Sequence, residues 1–147
     1  MIINIHSKGK FPANALSNFA AHSFDFDGYK QIPSMESFLQ SLKFETPFDQ
    51  ETVLYLSARD AKRVGSQKEW DKILFWKGKP IDRRSKEYRA FLMQVYRQLL
   101  QNSDFREALK ASKGHILLHT IGKTRRRSTV LTWWEFLYIL NTLKKEI

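Results

Sequence analysis

Cysteine is absent from the 147 residues, which excludes a disulfide framework, a thiolate metal site and a cysteine nucleophile together. Glycine and proline are scarce, at 6 and 4. There is no internal repeat or low-complexity linker, so one compact domain is expected over residues 1–147. No run approaches the roughly 20 apolar residues of a membrane span. The opening MIINIHSKGK also lacks the apolar stretch that follows a basic start in a secretory signal. Together these absences read as a soluble, cytoplasmic protein with no membrane partner. Acidic residues are few as well, 15 against 25 Lys and Arg. The imbalance is one-sided along the chain: residues 1–57 carry 4 basic and 6 acidic groups, residues 58–147 carry 21 and 9. The later segments are therefore expected to present a positive surface that attracts phosphate.

What is present is a chain with 42% hydrophobic and 14% aromatic residues, enough to bury a real core. Residues 1–5 alternate like a strand. Phe24-Asp-Phe26-Asp27-Gly28-Tyr29 sets a turn dipeptide between aromatics and predicts a hairpin. Ser34 is a plausible N-cap for a helix with Met35, Phe38, Leu39 and Leu42 at steps of three and four. Asp49 can cap a second helix that runs past Val53 and Ala61 to Gly65, and Trp70, Ile73, Leu74 and Trp76 fit a shorter helical pattern. Ser85 starts the longest helix, Ser103 starts another, Ile116–Ile121 reads as a buried strand, and Thr132-Trp-Trp-Glu135 is a capping box before the final helix. The expected class is mostly α (α+β), a helical bundle with a small β-hairpin or sheet near the N-terminus.

On the first substantial helix Glu36, Gln40 and Lys43 stand four and three residues apart, so they project in one line. Spacing alone describes the solvated face of an amphipathic helix. The surrounding motifs add a resemblance: Leu16-Ser-Asn18-Phe19, Asp27-Gly28-Tyr29, Ser34-Met-Glu36-Ser-Phe-Leu-Gln40-Ser-Leu-Lys43-Phe44, Ala58-Arg-Asp-Ala61-Lys62-Arg63-Val-Gly65, and Gln101-Asn102 through Arg106 to Leu109. In this order they resemble the NADAR, or YbiA-like, family. One family motif, D-x-x-W-G, is not found after Ala111, where the chain reads Gly114-His115-Ile-Leu-Leu-His119-Thr-Ile-Gly122-Lys123.

The resemblance implies a YbiA-like fold and a hydrolase acting on N-glycosyl compounds, without a cofactor. Its substrates would be ADP-ribose on a nucleobase such as guanine in DNA or, alternatively, phosphorylated ribosylamino-pyrimidine intermediates of riboflavin synthesis. Glu36 and Lys43 are the expected catalytic residues. A carboxylate can steady the oxocarbenium-like sugar, activate water, or protonate the leaving nitrogen. Lysine can act as a cation or, deprotonated, as a Schiff-base nucleophile. Asn18, Phe19, Tyr29, Gln40 and Arg63 are the expected substrate-binding residues, through amide contacts, ring stacking and phosphate binding. Lys123 and Arg125 to Arg127 form a basic loop suited to a nucleotide or DNA. His115 and His119 are four apart, but their segment reads as extended and has no carboxylate companion, so no metal is expected. A non-catalytic module binding ADP-ribose, NAD or nucleic acid is the reading from another class.

Overall fold

Alternation at the N-terminus yields strand β1 (Ile2–Asn4), with Ile3 in the core. A computed structural model describes residues 1–122 and 129–147, so the basic run from Lys123 to Arg127 lies outside the described residues. After the one-turn helix α1 (Ala13–Leu16), the expected hairpin forms from β2 (Phe24–Phe26) and β3 (Tyr29–Ile32). Asp27 and Gly28 at its tip have φ of 47° and 88°. Both central residues of a two-residue turn matched to strand twist need this left-handed conformation.

Helix α2 (Met35–Ser41) is capped by Ser34, whose Oγ accepts the Ser37 N–H at 3.1 Å. Its regular bonding ends at Ser41, earlier than the sequence pattern suggests. The turn that follows is tighter, Lys43 N–H donating to the Gln40 carbonyl at 3.2 Å, and it carries Lys43 beyond the helix. The expected second helix is two. Thr46 caps α3 (Pro47–Leu54), with Pro47 in the first turn, and Ser57 caps α4 (Ala58–Ser66). Ser57 supplies a new helix start because its hydroxyl accepts the Asp60 N–H at 3.2 Å.

Residues 70–76 depart further from expectation. Ile73–Trp76 is strand β4, which pairs with β5 (Lys79–Asp82) in an antiparallel hairpin. Its tip, Lys77-Gly78, has φ of 51° and 82°. The apolar run fits helix or strand equally well by spacing; the turn residues and the burial of Leu74 and Trp76 on one face decide for strand. Helix α5 (Lys86–Leu99) starts after Ser85 as expected. Helix α6 (Ser103–Ala111) is capped by Asn102, one residue before the expected cap.

Strand β6 (Ile116–Leu118) runs parallel to β1, placing Leu117 opposite Ile3. The capping box at Thr132 and Glu135 opens α7 (Trp133–Glu146). One apolar core extends from Ile3 to Leu143 through Phe38, Tyr88, Tyr96 and Leu140. Helices dominate, with three two-stranded pieces of sheet among the described residues. None of the described helices is long and apolar enough to cross a membrane.

A buried ion pair joins the exit of the second hairpin to α7. Arg83 is fully buried; its two terminal nitrogens donate to the Glu135 carboxylate at 2.6 and 3.1 Å, and its Nε–H donates to the Thr129 carbonyl at 2.8 Å. Tyr88 adds an O–H bond to the Val130 carbonyl at 2.5 Å. These bonds hold the segment from Thr129 to Thr132, which forms one wall of the site below.

Candidate active site

Helix α4 turns Ala61 and Gly65, four residues apart, towards α2, and both are buried. A Cβ at Gly65 would lie 2.0 Å from Gln40 Oε1. Only glycine leaves room for the Gln40 amide between the two helices. That amide donates Nε2–H to Glu36 Oε2 at 2.8 Å, while its Oε1 is buried without a hydrogen bond among the described residues. Lys43 donates from Nζ to the Gly65 carbonyl at 3.0 Å and stands 5.9 Å over the Trp70 ring. The polar line read from helical spacing is thus packed against a second helix rather than solvated.

The loop Leu16–Phe19 reaches the same place. Leu16 is buried, the Asn18 carbonyl accepts the Glu36 N–H at 3.0 Å, and Asn18 Oδ1 accepts the Tyr96 O–H at 2.7 Å. Burial holds the Tyr96 phenol well above its ordinary pKa, so it remains a donor. With Oδ1 engaged, the amide N–H pair of Asn18 is the part available to a ligand. Phe19 lies beneath the Lys62 ammonium, 5.1 Å from ring centre to nitrogen.

A cavity of about 460 Å³ gathers Asn18, Phe19, Glu36, Gln40 and Lys43. Lys62, Lys68 and Trp70 line it as well, and so do His119, Gly122 and the segment from Thr129 to Thr132. Desolvation raises the Glu36 carboxyl above the ordinary range, opposed by the Gln40 hydrogen bond and by the charges of Lys62 and Lys43. His119 is pushed the other way: burial lowers its pKa, against the Ile5 carbonyl contact that raises it. The cavity therefore combines a carboxyl inclined to keep its proton, an imidazole inclined to be neutral, lysines and two aromatic faces. That set suits a phosphorylated, ring-containing ligand and proton transfer.

Two of the expected binding residues are elsewhere. Tyr29 belongs to the aromatic cluster of the two hairpins, 5.7 Å from Trp76, and borders a separate depression of about 540 Å³. The acids there are already engaged: Asp27 accepts from Trp76 Nε1 at 2.7 Å and pairs with Lys77, and Asp25 faces Lys30. Arg63 is exposed and faces Asp60 at 3.5 Å. Trp70 and Trp76, read together from the sequence as one helical pattern, part company here: Trp76 is core and Trp70 lines the cavity. Lys68 and the wall residues Thr129 to Leu131 carry no motif that marks them, and Thr132 is marked only as a helix cap. His119 had one available signal, its place in the stretch where D-x-x-W-G is missing. Among the described residues no cluster of three His, Asp or Glu groups could hold a metal ion.

The architecture is that of the YbiA-like proteins. It is similar to the NMR structure of the E. coli protein YbiA with a TM-score of 0.63 and 23% identity, covering 99% of this chain and 83% of that one. Within that fold, the chain belongs to the family of bacteriophage protein GP30.3, whose family model matches residues 10–145. It is 35% identical over 150 residues to the uncharacterized 17.1 kDa protein of the Gp30-rIII intergenic region of enterobacteria phage T4, covering 99% of this chain and 98% of that protein.

Proposed function

We propose that this cavity hydrolyses the N-glycosidic bond between ribose C1 and the nitrogen of a base or amine, in a substrate that carries phosphate. The observation that carries the reading is the Glu36 carboxyl, raised by burial and facing a cavity with Lys43, Lys62 and Lys68. Cleavage develops positive charge on the sugar and negative charge on the departing nitrogen, so both ends need help. A carboxyl whose proton is held more tightly by burial can protonate the nitrogen as it leaves. Asn18 can bind ribose hydroxyls or a base edge, and Phe19 and Trp70 offer faces for stacking. The lysines would take the phosphates.

Within this class the favoured substrate is ADP-ribose attached to a nucleobase, guanine in DNA above all, because the charge excess of residues 58–147 suits a polyanion. The direct test incubates the protein with DNA carrying ADP-ribosylated guanine and, separately, with ribosylamino-pyrimidine phosphates, and follows the released base or sugar. Release from the first supports the favoured substrate, and release from the second alone moves the enzyme to riboflavin-type intermediates. Tight ADP-ribose binding without release of either would make it a binding module.

Lys43 has two chemistries. As an ammonium it stabilises the phosphate or the leaving group; as a free amine it attacks C1 and forms an imine with the opened sugar. Borohydride added during turnover separates them, since only the imine is reduced to a stable adduct on Lys43.

A further inference from the structure

His119 reaches the same cavity from the segment after β6, away from the helix that carries Glu36. Its Nδ1 is 3.0 Å from the Ile5 carbonyl oxygen. A carbonyl only accepts, so Nδ1 carries the proton and the neutral ring presents its lone pair at Nε2. The Phe136 ring meets the imidazole edge to face at 5.2 Å and fixes its plane. Gly122 lies along the Cδ2–Nε2 edge so closely that a Cβ there would be 2.6 Å from Cδ2 and 3.2 Å from Nε2. The same Cβ would lie 2.6 Å from the Trp133 Cβ, so glycine is what lets this backbone pass between the imidazole and the start of α7.

We propose that His119 is a further catalytic residue, the base that takes a proton from the water attacking ribose C1 while Glu36 serves as the acid. This rests on the N-glycosidase reading above. In the step, the water oxygen bonds to C1 and its proton passes to Nε2. The C1–N bond breaks, its electron pair goes to the nitrogen, and the nitrogen takes the Glu36 proton. The imidazolium then returns its proton to the carboxylate through solvent. On a route through a Lys43 iminium, the same water attacks the same carbon, the π pair goes to the Lys43 nitrogen, and Nε2 again receives the proton. The C1–Nζ bond then breaks with its pair on Nζ, which takes the proton back from Nε2, while the C1 hydroxyl loses its proton to solvent as the carbonyl forms.

The electrostatics are consistent with these roles. Burial favours neutral His119, with the charge of His6 acting in the same direction, and burial favours the protonated Glu36. Among the described residues, the other charged groups lining the cavity are Lys43, Lys62 and Lys68. Two titratable groups with environments that push their pKa values in opposite directions are the pattern expected of an acid and base pair.

The test measures kcat and KM against pH for the wild type, His119→Gln and Glu36→Gln, on whichever of the two substrates is cleaved. The wild-type rate should fall at low pH as His119 gains a proton. His119→Gln, whose amide can still donate to Ile5, should lose that acid limb and about 10²- to 10⁴-fold in kcat, with KM little changed. Glu36→Gln should lose the alkaline limb instead. A folded His119→Gln with full kcat and an intact acid limb overturns this role and leaves the glycosidase reading standing. A wild type that cleaves neither substrate overturns both. Nitrogen NMR of the ring is independent of turnover: a proton on Nδ1 at neutral pH is expected, and one on Nε2 overturns the proposal.

Discussion

Glu36 illustrates how a residue acquires chemistry from its surroundings. In the chain it is one acid at helical spacing from a lysine; in the fold it is partly withdrawn from water beneath Gln40 and Asn18. Because burial raises its folded-state pKa, the protein is most stable with Glu36 protonated. Its contribution is complete below the unfolded carboxylate range, about pH 4, and is lost as pH rises through the folded value. Glu36→Gln should therefore slow base release yet melt at a higher temperature than the wild type at pH 7, with the difference disappearing near pH 4. A lower melting temperature at pH 7 would contradict the burial argument. Stability sacrificed for a functional carboxyl is common at active sites.

At the level of elements, the site depends on two close contacts. The first is α2 against α4 at Gly65. Gly65→Ala should cost about 1–3 kcal/mol through overpacking and displace Gln40 from Glu36, which urea denaturation and the rate of base release would both register. The second is the Arg83–Glu135 pair, which ties α7 and the Thr129–Thr132 wall to the β4–β5 hairpin. Burial alone would raise the Glu135 pKa, but the Arg83 and Thr132 hydrogen bonds more than offset it and the net shift is downward. The stability it contributes is thus present above the unfolded carboxylate range and fades as pH falls through the lowered folded value. Arg83→Ala leaves a buried carboxylate unpaired and should cost about 3–5 kcal/mol in denaturation. Arg83→Met with Glu135→Leu should recover most of that, short of about 1 kcal/mol for the lost α7 cap.

For the whole molecule the decisive quantity is the formal charge of +10. If the substrate is a modified base within DNA, KM should rise steeply with salt, because phosphate contacts along the duplex release counterions. A free ribosylamino-pyrimidine phosphate offers few such contacts, so its KM should depend on salt only weakly. Measuring KM between about 50 and 200 mM salt distinguishes a broad positive face from a local phosphate pocket.

The local devices of the fold were legible in the chain because each acts over a few residues. Asp27-Gly28 marks the first hairpin turn, Ser34 and Ser85 cap their helices, and Thr132 with Glu135 forms the capping box. The order of motifs likewise indicated a YbiA-like fold. The run Ile73–Trp76 was not legible, since its spacing suits helix and strand alike and pairing with Lys79–Asp82 chose between them. The split between α3 and α4 turned on Ser57, one hydroxyl that could equally have faced solvent inside a helix. Sequence alone nominated Glu36, Gln40 and Lys43, while also allowing them to be a solvated face. Tertiary structure excluded the solvated face, because only packing brings Gly65 against Gln40, Asn18 to Glu36 and His119 to the same cavity. Burial and the partners it supplies set a carboxyl's proton affinity, and both come from residues distant along the chain.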